Sequence, residues 1–223
     1  MLALGDKWVG GAAFDRIKEF LRTAGASGVE DASDAAAGGA VGNVFATGEP
    51  AIVLDESTLL ARLDGLLTKA MLYIAEVPEP MLDEPLPVRG DEGRTVRGLA
   101  FHICQVAYDP LRAYDGTAIL KSMHEYDPPG WLHTSADLAA EAELVRQRLR
   151  MWWARIDKPV TIDHVVYYQG PYTFHGLLER CTWHCATHVR QLASLLVESG
   201  IDPEARLTDE DVHGLPMPRG VWK

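Results

Sequence analysis

The chain has 223 residues, 47% of them hydrophobic and 24% charged, which suits one globular domain with a small appendage. Its formal net charge of −11 argues against nucleic acid or an anionic membrane surface as the main partner. No run of about 18 apolar residues offers a membrane span, "MLALGDKWVGG" lacks the parts of a secretory signal, and Cys104, Cys181 and Cys185 make no disulfide framework, so a reducing, cytoplasmic setting is expected.

Residues 1–25 read as a short strand, a Gly-Gly turn and a helix ended by Gly25, with Phe14, Ile17, Phe20 and Leu21 at helical spacing. Residues 26–50 are Gly/Ala/Asp-rich without a period and read as a linker. From Asp55 the pattern changes. Leu59, Leu60, Leu63, Leu66, Leu67, Ala70, Met71 and Ile74 form a broad apolar stripe, with Asp or Ser near its start and Pro78 and Pro80 past its end. A second helix begins after Thr95 as cap and is expected to kink or break at Pro110, because proline lacks the N–H that the helix needs. Residues 115–133 form a long connection. A third helix follows from Thr134 or Ser135, with Asp137 at its positive end. "PVTIDHVVYYQGPY" reads as extended, with room for a short strand, and a fourth helix runs from near Thr173 to Gly200. The expected division is 1–50 appendage and linker, 51–205 helical domain, and 206–223 polar tail. The expected fold is all-α, and four long amphipathic helices make a bundle the default.

The fourth helix carries two histidines on its apolar side. At 100° per residue, His188 falls about 40° from His184, while Leu177 and Leu195 fall about 20° from it. Four residues at 1.5 Å rise separate the two rings by about 6 Å along the axis, a spacing that lets two imidazoles converge on one ion. Two histidines on one buried stripe either bond to core neighbours or share a metal, since desolvated imidazoles need partners. On the second helix His102 shares a face with Leu99, Ile103 and Val106. His175 lies about 180° from His184 and points away. His124, His133 and His164 sit in connections that could reach the mouth of a site, and His213 lies in the tail. His102, His184 and His188 are therefore the candidate metal ligands.

An inward histidine on the second helix, H-x3-H on the fourth about 80 residues later, and "ERCTWHCATHVRQL" around it together resemble the DinB/YfiT-like superfamily over roughly residues 55–200. That resemblance implies a DinB-like four-helix bundle holding a divalent metal on His102, His184 and His188, with zinc ahead of nickel, iron or manganese. Members of that superfamily include thiol-dependent S-transferases and a thiol-dependent maleylpyruvate isomerase. The opening "LALGDKWVGGAAFDRIKEFL" resembles the last strand, Gly-Gly turn and helix of a glutaredoxin-like domain, without its Cys-x-x-Cys half. This is either a remnant of such a domain or an amphipathic helix docked on the bundle, and as a remnant it favours glutathione over mycothiol or bacillithiol.

Other residues have two readings each. Cys181 and Cys185 could join the ligand set but fit better as small core residues, and Trp152 and Trp153 fit packing better than a pocket. Asp109 and Gln191 could orient histidine N–H groups. Arg112 is the candidate for pairing a thiol or substrate carboxylate, because a guanidinium forks onto that group, although a solvated helix-end arginine explains it too. No serine-triad, phosphate-loop or dinucleotide motif is present. The expected activity is metal-dependent S-transfer or thiol-assisted isomerisation of a small electrophile. A metal-dependent hydrolase and a non-catalytic metal-binding stress-response bundle are the alternatives. The expected partners are the thiol and the electrophile, with room for a homodimer.

Overall fold

A computed structural model describes residues 52–87, 94–124 and 127–222. The chain separates into two units, residues 1–39 and 40–223, and all described residues belong to the second. The strand-helix appendage and linker expected over 1–50 lie outside the described residues.

The described chain is mostly helical, as expected of an all-α fold. Helix α1 spans Glu56–Glu76, capped by the Asp55 carboxylate, which accepts from the Thr58 N–H at 2.7 Å. It buries Leu59, Leu60, Leu63, Leu66, Leu67, Ala70, Tyr73 and Ile74, which is the apolar stripe read from sequence with Tyr73 added and Met71 only partly covered. After a 3-10 turn at Glu79–Asp83, helix α2 spans Val96–Tyr114, with the Thr95 hydroxyl accepting from Gly98 N–H. Helix α3, Ser135–Trp153, starts with a reciprocal capping box in which Thr134 and Asp137 each take the other's backbone N–H. Helix α4, Phe174–Glu198, begins at Thr173 and stops before Gly200, whose φ of +81° is open to glycine at little cost. A one-turn helix α5 spans Asp209–Val212.

Each long helix carries one buried stripe, and these stripes meet. Helix α1 packs against α3 and α4, and α2 packs against α4 and α3. At the core are leucines 0% exposed on α1, α2, α3 and α4, among them Leu63, Leu99, Leu138 and Leu192. Burying each such side chain is worth about 1.5–3 kcal/mol.

Two expectations are corrected. Helix α2 does not break at Pro110 but continues through it to Tyr114, with Pro110 buried. A proline forfeits one helical hydrogen bond and crowds the carbonyl one turn back, and core packing offsets this here, since Leu111 and Ala113 beyond it are buried. Within the segment read as a polar tail, 206–223, the described residues 206–222 are fastened across α1 and α4. Lys69 donates to the Arg206 carbonyl at 2.7 Å, Arg190 to the Pro218 and Gly220 carbonyls at 2.7 and 2.8 Å, and Leu215 is buried.

The extended segment forms a hairpin. Strands β1, Val165–Tyr167, and β2, Gly170–Tyr172, pair antiparallel with Tyr167 opposite Gly170, so Tyr168 and Gln169 make the turn. Ile119 exchanges backbone hydrogen bonds with it, donating to Val166 at 2.9 Å and accepting from Tyr168 at 3.0 Å. This ties the hairpin to the α2–α3 connection, and residues of both line the cavity described next.

Candidate metal centre

His102 on α2 and His184 and His188 on α4 come together. One ring nitrogen from each lies within 4.8 Å of the other two, close enough for a single ion to reach all three. The His102 ring centroid is 5.3 Å from that of His184 and 4.9 Å from that of His188, and the His184 and His188 centroids are 4.6 Å apart. His102 and His188 are buried. The inward placement follows from the helix wheels: each histidine replaces a leucine-type position on a stripe that must face the core. His175 is not in the cluster.

Burial disfavours the charged form of these rings, and each also repels its neighbours' charge. Both causes push His102 and His184 well below the ordinary imidazole range, so neutral rings with a free lone pair are the stable form at neutral pH. The Nδ1 atoms of His102 and His184 are buried without a hydrogen-bond partner among the described residues. A buried polar atom left unpaired costs about 1–3 kcal/mol, and a shared cation removes that penalty. The donor set therefore fits a divalent metal.

His188 is oriented from behind. Its Nδ1 lies 2.7 Å from Gln191 Oε1, while the Gln191 amide nitrogen donates to the Val221 carbonyl at 3.1 Å. The carbonyl of Val221 fixes which end of the amide faces the histidine. Oε1 can only accept, so Nδ1 carries the proton and the Nε2 lone pair turns toward the cluster. Gln191 thus has the partner role read from sequence.

Asp109 does something different. It is fully buried and lies 2.8 Å from Nε2 of His124 and 2.7 Å from Nη1 of Arg112, so it stands beside a fourth histidine rather than one of the three. His124 caps the 3-10 turn Lys121–Met123, is buried, and stands 5.4 Å from the His102 ring. It reaches the mouth of the site, as its loop position allowed. His133 and His164 do not line it.

Arg112 is not the cavity cation expected of it. Its guanidinium donates to Asp109 and to the Gln105 carbonyl at 3.1 Å and rests over the Tyr108 ring, and it does not line the cavity beside the histidines. Its place is taken by residues not singled out in the sequence. A cavity of about 260 Å³ opens on His102, His124 and His184, and Arg94, Lys121, Arg180, Tyr168 and Gln169 complete its wall. Arg180 was legible: it lies one turn before His184, about 40° away on the wheel. Arg94 and Lys121 sit in connections, where no periodicity marks them. A larger, more open depression of about 570 Å³ lies between the start of α1 and α5, and neither histidine nor cysteine lines it.

Cys181 and Cys185 are buried outside the cluster, and the Cys185 thiol donates to the Ile103 carbonyl at 3.6 Å. Burial raises both thiols well above the ordinary range, with nearby Asp109 adding to it. They act as small core residues.

A scan of protein-family models and a search of curated proteins both find no match to this chain.

Proposed function

We propose that the chain is a DinB-like four-helix bundle whose three histidines hold a divalent metal, zinc in the first instance, and that it is an enzyme joining a low-molecular-weight thiol to a small electrophile or isomerising that electrophile with the thiol's help. The observation that carries this reading is the histidine cluster opening on a cavity with no fourth ligand joining it among the described residues. Cys181 and Cys185 are buried outside the cluster, and Nε2 of His124 lies against Asp109 instead. Three neutral ligands leave the ion its full double charge and an open position, as in catalytic rather than structural zinc sites. When bound, such an ion lowers the pKa of a coordinated thiol and holds it as thiolate.

The chain's own residues would do the rest. His102, His184 and His188 supply lone pairs, Gln191 keeps His188 in the ligating tautomer, and the Tyr168–Gln169 turn narrows the approach. His124, steadied by Asp109, stands where a proton would be taken from an incoming thiol. Glutathione is the favoured thiol on the resemblance of residues 1–25 to a glutaredoxin-like end. The His124–Asp109 pair also favours a second reading, metal-dependent hydrolysis, because the same imidazole could take a proton from water.

The test is spectroscopic. Glutathione added to the cobalt-loaded protein near neutral pH should give sulfur-to-metal charge-transfer absorption, and the His188→Ala protein should give none. Mycothiol and bacillithiol belong beside it. If no thiol perturbs the cobalt spectrum and none is consumed with enones or epoxides, the thiol reading fails and hydrolysis moves ahead.

A further inference from the structure

We infer that residues 217–222 form a strap that regulates the metal site from behind, with Arg190 and Gln191 as the positioning residues. Docking of the strap on α4 and metal occupancy of the histidine cluster are coupled through the Gln191 amide. The inference names the regulation of the site proposed above and rests on that reading for the presence of a metal.

The first observation is how the strap is held. Side chains of α4 reach for its backbone: one Arg190 nitrogen donates to the Pro218 carbonyl at 2.7 Å and to the Gly220 carbonyl at 2.8 Å, and the Gln191 amide nitrogen donates to the Val221 carbonyl at 3.1 Å. Pro218 is buried, and Met217 and Trp222 pack against the core, while Arg219 and Gly220 between them are exposed. A segment fastened this lightly opens at far lower cost than the fold as a whole.

The second observation is that Gln191 touches the strap and a metal ligand with opposite ends of one rigid amide. Its NH2 end faces Val221, and its Oε1 faces Nδ1 of His188, 2.7 Å away. Oε1 only accepts, so it selects the tautomer with the proton on Nδ1 and the lone pair on Nε2, the form that can ligate. Release of the strap removes the acceptor that fixes the NH2 end. A half-turn of the amide then presents an N–H to Nδ1, and the ring that accepts it carries its proton on Nε2, where no metal can bind. Both tautomers are neutral, so the exchange changes no charge: one proton leaves Nδ1 and one joins Nε2. Conversely, a ring ligating through Nε2 keeps its proton on Nδ1, which holds Oε1 inward and the NH2 end toward Val221. The factor by which docking strengthens metal binding is therefore the factor by which metal binding favours docking.

Tryptic cleavage of the full chain after Arg219, followed by mass spectrometry with and without zinc, tests this beside zinc affinity from chelator competition. The Arg219–Gly220 bond is cut from the opened strap, so the rate reads the open population. Zinc should slow that cut about 5- to 100-fold in the wild-type protein, a comparison that needs no variant. Gln191→Glu keeps an acceptor for Nδ1–H and loses the donor to Val221. It should bind zinc at least as tightly as wild type, and zinc should no longer protect Arg219. Arg190→Gln should speed the zinc-free cut and weaken zinc by up to about 100-fold. Placed in the Gln191→Glu protein, the same change should leave zinc affinity unmoved. The coupling is overturned if zinc binds the wild-type protein without slowing the cut. It is overturned too if zinc protects Gln191→Glu equally, as stabilisation of the whole fold would, or if Arg190→Gln speeds the cut with zinc affinity unchanged. A wild-type protein that takes up no zinc fails the metal reading itself, and the coupling falls with it.

Discussion

Gln191 shows how much one amide can set. Its nitrogen is held by a backbone carbonyl and its oxygen by His188, so one ring of the cluster is locked in the tautomer that offers Nε2. Gln191→Ala should leave the fold intact and weaken zinc binding about 10- to 100-fold, the usual cost of losing such a partner. Competition against a chromogenic chelator measures it, and an unchanged affinity would remove Gln191 from the account. The cysteines make the opposite point. Cys181 and Cys185 flank the histidines in sequence, but burial holds their thiols protonated, so neither they nor buried Cys104 should react with iodoacetamide in the native protein at neutral pH. Mass spectrometry showing fast alkylation of Cys181 or Cys185 without unfolding would contradict this. Sequence left the cysteines two readings because they share the helix with the histidines, and the structure separates them: the three imidazoles converge, while the Cys185 thiol turns to the Ile103 carbonyl of α2. Sequence did not find Arg180, because a charged residue near an apolar stripe reads as one that snorkels to solvent. Here the Tyr167 and Trp183 rings keep it at the cavity instead.

The elements were legible where local chemistry decides them. Asp55, Thr95, Thr134 and Thr173 each cap the helix that follows, as their side-chain oxygens and the apolar periods after them require. Thr95 matters most to the site because it starts the helix that carries His102. Thr95→Ala should cost about 0.5–2 kcal/mol of stability, read as a lower urea midpoint with unchanged slope. What sequence misplaced depends on contacts between distant segments. Pro110 looked like a stop, since a proline by itself argues for one, but the turn beyond it is held by core packing. The last eighteen residues looked like a tail because their anchors are backbone carbonyls, which leave no mark on side-chain pattern. Residues 217–222 hold both Arg190 and Gln191 from α4. A chain ending at Leu215 should therefore lose zinc affinity by at least as much as Gln191→Ala. Full retention of affinity in the shortened protein would separate the segment from the site.

At the level of the whole molecule, an acidic chain holds buried imidazoles that burial and mutual repulsion keep neutral. That arrangement has a pH signature. The folded state holds His102 and His184 well below the ordinary imidazole value, so the unfolded chain binds more protons than the folded one as pH falls past about 6.5. Stability of the metal-free protein should therefore be full above about pH 6.5 and decline as the solution is acidified below it. Urea unfolding at a series of pH values reads this. Double replacement by asparagine, His102→Asn with His184→Asn, should flatten the profile between about pH 5 and 6.5. Zinc loading should steepen the acid loss, because protons then compete with the metal for the same lone pairs. The three-histidine centre is read by isothermal titration of zinc into the metal-free protein. One site per chain is expected, lost in each of His102→Ala, His184→Ala and His188→Ala and kept in His175→Ala. A wild-type protein that takes up no zinc, or a His184→Ala protein that binds one equivalent at undiminished affinity, would contradict it.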